Sequence, residues 1–296
     1  MQKIKSRKRG LKGSNIFDFF NYLLLGLLGI ITILPFIHVL GSSFATSAEV
    51  ANTKFLLFPT EFSLSAYRYI FSTDTIFRAL GVSAVVTIGG TIWSMFFSVL
   101  TAYGLSRRDL VGRRVINFLI IFTMLFNGGM IPTFLVVQET GLMNSLWALV
   151  IPVTINAFNM IILRSFFMNI PQSLEESAKI DGAHDFSILF RIVIPISLPA
   201  IATIALFYAV TYWNTYMHAI LYLSDSAKWP VQVLLRQIVV LASGINYDGA
   251  SYTDVPPPEV TVKMATIVVA TVPVLLVYPF LQKYFAKGAL LGSVKG

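Results

Sequence analysis

The sequence predicts an all-α polytopic membrane protein with six transmembrane helices and both termini in the cytoplasm. Three observations carry that expectation. Apolar residues make up 56% of the 296-residue chain and charged residues only 12%, against about 25% charge in soluble domains. Six windows free of Asp, Glu, Lys and Arg are long enough to cross a bilayer. The basic residues between those windows gather in alternate loops, as positive-inside orientation requires.

A hydrocarbon core about 30 Å thick needs roughly 20 helical residues. The charge-free windows are residues 19–48, 79–106, 115–138, 140–163, 192–224 and 264–282. Backbone polar groups cannot stay unpaired in lipid, so each window is read as a helix. None shows the polar–apolar alternation of a barrel strand.

The net charge of +8 is unevenly placed. Lys3, Lys5, Arg7, Lys8, Arg9 and Lys12 crowd the start; Arg107, Arg108, Arg113 and Arg114 lie between the second and third windows; Lys283, Lys287 and Lys295 follow the sixth. All fall on one side of a six-span chain, which becomes the cytoplasmic side. The opposite loops hold Glu49, Lys54, Glu61, Arg68 and Asp74, then Glu139, then mixed charges from Asp225 to Glu259.

A basic terminus running straight into an apolar stretch fits an anionic lipid leaflet and not nucleic acid. That stretch is also longer than the roughly 7–15 apolar residues of a cleavable signal. The expected organisation is a basic cytoplasmic segment at 1–15, one transmembrane domain at 16–285, and a cytoplasmic tail at 286–296. Residues 225–260 form an extracytoplasmic segment, with a short amphipathic piece at 237–242 and a stiff connector at Pro256-Pro257-Pro258.

Several chemistries are excluded. The chain has no cysteine, so disulfides, zinc–thiolate sites and thiol catalysis are ruled out. It contains no G-x-x-x-x-G-K-[ST], H-E-x-x-H or G-x-S-x-G motif. No catalytic residue and no metal ligand set is expected.

The connection between the fourth and fifth windows, residues 169–195, reads NIPQSLEESAKIDGAHDFSILFRIVIP. Ser173 followed by Glu176 has the spacing of a capping box, predicting a helix from Leu174. Gly182 is placed to end that helix in the left-handed conformation. Asp185 is placed to cap a second helix leading through Phe190 to Pro195. Ser177, Ala178, Gly182 and Ala183 leave a small-residue face that another protein can approach closely.

This segment resembles the EAA loop of ABC-importer permeases, whose pattern is E-A-A, three residues, G, nine residues, I-x-L-P. Glu176-Ser177-Ala178, Gly182 and Ile192-Val193-Ile194-Pro195 stand at that spacing, with Ser177 in place of Ala and Ile194 in place of Leu. Asp181-Gly182-Ala183 is similar to the version found in carbohydrate importers. Asn127-Gly128-Gly129-Met130-Ile131-Pro132-Thr133 and Gln282-Lys283-Tyr284-Phe285 resemble the second permease of oligosaccharide importers, in the branch serving breakdown products of polysaccharides. The resemblance implies a type I ABC-importer permease fold. It also implies a second permease subunit forming a heterodimer, two cytoplasmic ATPase subunits holding ATP and Mg, an extracytoplasmic solute-binding protein and an oligosaccharide substrate. Glu176, Ser177, Ala178, Asp181, Gly182 and Ala183 would dock on the ATPase, and Phe190 to Pro195 would pass its motion into the fifth span.

Intramembrane polar groups usually face a bundle interior or cavity, and aromatic faces suit sugar rings. Asn156, Asn159, Tyr212, Trp213, Asn214 and Tyr216 fit a substrate path on that basis. Helix–helix hydrogen bonding and interfacial anchoring are the alternative readings of the same residues. His38 and His218 read as packed or interfacial groups. Pro35, Pro132, Pro152, Pro199 and Pro273 are expected to kink their helices. A secondary transporter would want buried carboxylates for ion coupling, and a membrane enzyme a cluster of acid–base groups. The six windows enclose no carboxylate and supply no such cluster.

Overall fold

A computed structural model of the chain describes residues 12–242 and 260–293. Lys3 to Arg9, Pro256 to Pro258 and residues 294–296 lie outside that range. The described residues are helical, with one isolated bridge between Ala45 and Phe62 and no strand.

The helices are α1 (Lys12–Ser43), α2 (Ser47–Asn52), α3 (Ser65–Phe71), α4 (Asp74–Ser106), α5 (Arg113–Leu125), α6 (Met130–Glu139) and α7 (Ala157–Met168). They continue with α8 (Gln172–Ile180), α9 (Asp185–Ile188), α10 (Ile194–Ile196), α11 (Leu198–Trp213), α12 (Met217–Tyr222), α13 (Val231–Ala242) and α14 (Val260–Ser293). Two compact units result, one of Met1–Ile70 with Tyr247–Val268 and one of Phe71–Asn246 with Val269–Gly296.

In the first unit, α1 turns Phe19, Leu24, Ile30 and Phe36 outward, each more than half exposed. So large an apolar surface is stable only against lipid or a partner. Beyond it the chain is tied by polar contacts. The Leu56 amide donates to His38 Nδ1 at 3.0 Å, and the His38 ring stacks on Phe55. Thr46 Oγ1 caps α2 by accepting from the Glu49 amide. The Glu49 carboxylate accepts from the Thr60 amide and hydroxyl, both at 2.8 Å, and from the Glu61 amide at 3.3 Å. Those bonds hold its pKa below the ordinary carboxylate range.

The second unit is built on α4, which packs against α11 and α7. The contact face of α4 carries small residues at helical spacing, with Ser83, Gly90, Ser94 and Ser98 all buried. Small side chains let helix backbones approach closely and let hydroxyls bond across the interface. Ser94 Oγ pairs with the Tyr212 hydroxyl at 2.6 Å, Ser98 Oγ with the Tyr208 hydroxyl at 2.7 Å, and Ser83 Oγ accepts from the Val231 amide at 2.8 Å. Around them lies an apolar core that includes Val86, Leu149, Met160, Leu163, Ile188 and Ile204.

Among the described residues, three helices are long and apolar enough to cross a membrane unbroken: Phe17–Ser43, Asp74–Ser106 and Val260–Val277. The third, fourth and fifth windows depart from the continuous helices expected. Each is a bent pair: α5 with α6 at 117°, the short turns Leu146–Val153 with α7 at 52°, and Asp185–Ile196 with α11 at 86°. Backbone chemistry explains the breaks. Gly129, at φ 89° and ψ 177°, occupies a region that only glycine enters freely. Pro132 and Pro199 sit in the first turn of the helix that follows each break, where a missing N–H costs nothing. These prolines open new helices instead of kinking long ones. Pro35 and Pro273 do lie inside helices, α1 and α14.

Candidate functional site

The connection at 169–195 forms a helix, a sharp turn and a second helix. Its helix starts differ from the expectation. Helix α8 begins at Gln172, directly after Pro171, whose carbonyl accepts from the Leu174 amide at 3.2 Å. Ser173 therefore lies inside the first turn, out of register for a cap, and no side chain caps this helix. Asp185 is likewise the first residue of α9, with His184 in the cap position. Its carboxylate meets Lys179 Nζ at 3.6 Å instead, closing the turn from the side.

The end of α8 is as expected. Gly182 takes φ +81°. Its amide donates to the Lys179 carbonyl at 3.0 Å, and the Ala183 amide donates to the Ala178 carbonyl at 2.9 Å. This pair of bonds is a Schellman turn, which satisfies the last carbonyls of the helix and reverses the chain.

Beyond α9 the chain widens into a π-helix at Leu189–Val193, with the Ile194 amide donating to the Leu189 carbonyl. Pro195 accounts for this. It supplies no N–H, and its ring crowds the carbonyl four residues back, so the ladder loosens by one residue. Ile188, Leu189 and Val193 anchor the segment in the core, while Phe190 and Pro195 stay exposed.

On the turn itself Glu176, Ser177, Asp181 and Gly182 are exposed, and Ala178 and Ala183 pack partly against the core. Ile180 is 87% exposed and Phe186 67%. Two free-standing apolar side chains beside small residues and carboxylates make a surface suited to another protein. The sequence pattern marks the small residues as the contact face and does not mark Ile180, Leu174 or Phe186 as part of it. Their alternation with charged neighbours was the available signal.

Beside α8 a cavity of about 390 Å³ is lined by Arg107, Arg108, Phe167, Glu175, Glu176 and Lys179. Arg107 forms an ion pair with Glu175 there. Among the described residues no group of three His, Asp or Glu side chains could hold a metal ion.

The polar residues of the fourth and fifth windows take different places in the fold. Asn156 is the N-cap of α7; its Oδ1 accepts from the Asn159 amide at 3.1 Å and its own amide donates to the Tyr208 hydroxyl at 2.9 Å. Asn159 is buried. Tyr212 is 1% exposed, with its hydroxyl held by Ser94. Trp213 is buried, and its indole N–H has no hydrogen-bond partner among the described residues. Asn214 is exposed at the break between α11 and α12, where Gln232 Nε2 reaches its Oδ1 at 3.4 Å. Tyr216 is half-buried just beyond. Tyr208, which ties α4 to the cap of α7, gave no sequence signal beyond standing one turn before Tyr212. His218 stacks on Tyr222 with ring centroids 5.6 Å apart.

A bundle of apolar and broken helices with an exposed helix–turn–helix has the form of a transport subunit that takes its energy from another protein. Residues 94–290 match the family described as binding-protein-dependent transport system inner membrane component. Two relatives come from Bacillus subtilis (strain 168). The polygalacturonan/rhamnogalacturonan transport system permease protein YtcP is 66% identical over 284 residues, covering 96% of this chain and 99% of the relative. Protein LplC is 52% identical over 285 residues, covering 96% and 97%. A solved chain of a bacterial ABC transporter involved in the import of the acidic polysaccharide alginate superposes with a TM-score of 0.84 and 35% identity, covering 93% of this chain and 98% of that one.

The chain belongs to the binding-protein-dependent transport system inner membrane component family and has the type I ABC-importer permease fold. It is the permease subunit of an ABC importer, an inner-membrane component working with a partner permease and a solute-binding protein. Catalysis lies elsewhere, on a separate ATPase subunit.

Proposed function

We propose that this permease imports oligosaccharides released from acidic polysaccharides, as one half of a heterodimeric membrane pair driven by two ATPase subunits. The observation that carries the cargo reading is 66% identity, over nearly the full length of both chains, to a polygalacturonan/rhamnogalacturonan permease. An alginate importer as structural neighbour supports the same acidic chemistry. The chain crosses the bilayer six times, each bent pair counting as one span, with both termini and the connection at 169–195 in the cytoplasm. The loop charges support that direction.

The ATPase docks on the end of α8, touching Glu176, Ser177, Ala178, Asp181, Gly182 and Ala183, with Ile180 and Phe186 as apolar anchors. The stretch from Phe190 to Pro195 carries the movement into α11. Cargo passes the break after α11, where Trp213, Asn214 and Tyr216 offer an aromatic face and an amide. Gln232 lies beside Asn214, and Arg236 follows one turn along the same face of α13, giving a guanidinium for a uronate carboxylate.

The test is reconstitution of the full complex in liposomes with its binding protein. Uptake and binding-protein-stimulated ATP hydrolysis are measured with uronate-containing and neutral oligosaccharides of equal length. Stimulation by the uronate series is expected, and preference for the neutral series refutes the cargo reading. Gly182→Val should insert and assemble with its partner permease yet fail to transport; wild-type uptake by that variant refutes the docking reading.

A further inference from the structure

The C-terminal end of α4 holds both arms of the exposed helix–turn–helix. Arg107 is the C-cap of α4, and its guanidinium lies 4.0 Å above the Tyr103 ring. The same guanidinium pairs with Glu175 in the first turn of α8, and the two side chains are only 18% and 12% exposed. Tyr103, one turn earlier, donates its hydroxyl to the Asp185 carbonyl at 3.2 Å, at the start of α9. Lys179 and Asp185 then close the two arms on each other. From the far side, Arg164 of α7 donates to the Leu105 carbonyl at 3.0 Å, fixing the end of α4.

A half-buried ion pair stacked on an aromatic ring resists displacement, because separating it leaves two charges less well compensated. The covalent route from α9 to α11 is different in kind. It runs through a π-helical segment and an 86° bend, where the regular α-helical ladder is interrupted twice. Helix α4 is unbroken over 33 residues and packs along both α11 and α7. The contact with α4 is therefore a second, direct connection from α8 to the bundle, made through side chains.

We propose that Arg107, acting through Glu175 and Tyr103, is a positioning residue that carries movement of α8 into α4, so that coupling enters the bundle by the second span as well as by α11. This rests on the reading of α8 as the ATPase contact. Arg107 touches neither ATP nor cargo; its role is to make α8 and α4 move as one body.

The test uses the complete reconstituted complex and two readouts, ATPase subunits retained on the permease and substrate transported per ATP hydrolysed. Arg107→Gln and Glu175→Gln should each keep the ATPases bound while transport per ATP falls about tenfold, within the usual range of coupling factors. The exchanged pair, Arg107→Glu with Glu175→Arg, should recover most of that loss. Arg107→Lys should fall between, because it keeps the charge and loses the planar fork.

Unchanged transport per ATP in the single variants overturns the proposal. So does an exchanged pair no better than the singles, or loss of ATPase retention in Arg107→Gln, which would assign the ion pair to shaping the docking face. The Gly182→Val control separates the two readings, since it bears on docking and leaves Arg107 and Glu175 in place.

Discussion

Substituting Gly182 with alanine, asparagine and valine asks whether the proposed coupling turn depends on backbone conformation or on space. At φ +81° this residue lies in the left-handed region, and among the described residues no atom beyond its two chain neighbours stands within 4 Å of where a Cβ would be. The intramolecular penalty of a side chain is therefore purely conformational. For alanine it is about 1–2 kcal/mol, enough to reduce the population of the closed turn about five- to thirtyfold. The two bonds at stake are those from the Gly182 amide to Lys179 and from the Ala183 amide to Ala178. Asparagine tolerates this region and should lose less than alanine, despite being larger. Valine, β-branched, should lose most. If instead an ATPase surface packs tightly over Gly182, loss should follow side-chain size, with alanine mildest and asparagine clearly worse. Uptake per ATP and retention of the ATPase subunits should be measured for all three variants in proteoliposomes. A better outcome for alanine than for asparagine refutes the conformational account and favours steric exclusion.

At the α4–α11 interface a Cβ on Gly90 would meet the Tyr212 ring at 2.9 Å, and that ring is buried with its hydroxyl fixed by Ser94. Gly90→Ala should cost about 1–3 kcal/mol by overpacking, read as a lowered melting temperature in detergent; an unchanged melting temperature would show that the ring moves freely. The Glu49 carboxylate is stabilised as the anion by Thr60 and Glu61, so its folded pKa lies below its unfolded one. That contribution is complete above the ordinary glutamate range, around pH 4.3, and is lost as pH falls through the lower folded value. Hydrogen exchange of the Thr60 amide should accelerate relative to its intrinsic rate over that acidic window in the native chain. In Glu49→Gln the same amide should show no such step.

What the sequence revealed, and what it hid, follows from the range of the forces involved. Gly182 was legible because a helix that must stop and turn needs one residue of positive φ, and the loop offers a single glycine. The start of α8 was misread because Ser173 and Glu176 form a plausible cap while Pro171, two residues earlier, opens the helix by its own fixed geometry. Charge-free windows locate apolar segments well and are blind to breaks inside them. Asn127-Gly128-Gly129, Ser197 and Asn156 interrupt helices without adding any charge. Arg107 was visible only as a topological charge, because its partner Glu175 is distant in sequence and brought near by packing.

The breaks also bear on where cargo can be touched. A helix interrupted within a bilayer must satisfy the backbone groups it frees, and the polar residues at these breaks do so first. The Asn127 side chain accepts from the Gly129 amide at 2.8 Å, Thr133 Oγ1 donates to the Gly129 carbonyl at 2.8 Å, and Asn156 caps α7. These bonds tie the Asn127 and Asn156 oxygens to backbone amides at the breaks. Asn214 differs: its Nδ2 bonds the Val210 carbonyl at 2.8 Å, and among the described residues its Oδ1 meets only Gln232 Nε2, at 3.4 Å. Next to it the Trp213 indole N–H has no partner among the described residues. The two asparagines should therefore fail in different ways. Asn156→Leu should remove a helix cap worth about 0.5–2 kcal/mol, lowering thermal stability with KM for uptake unchanged. Asn214→Leu should leave stability within about 0.5 kcal/mol, as for an exposed side chain, and raise KM. Measuring melting temperature and KM on both variants decides it. A raised KM in Asn156→Leu at full stability would move the cargo path to the start of α7 and away from the end of α11.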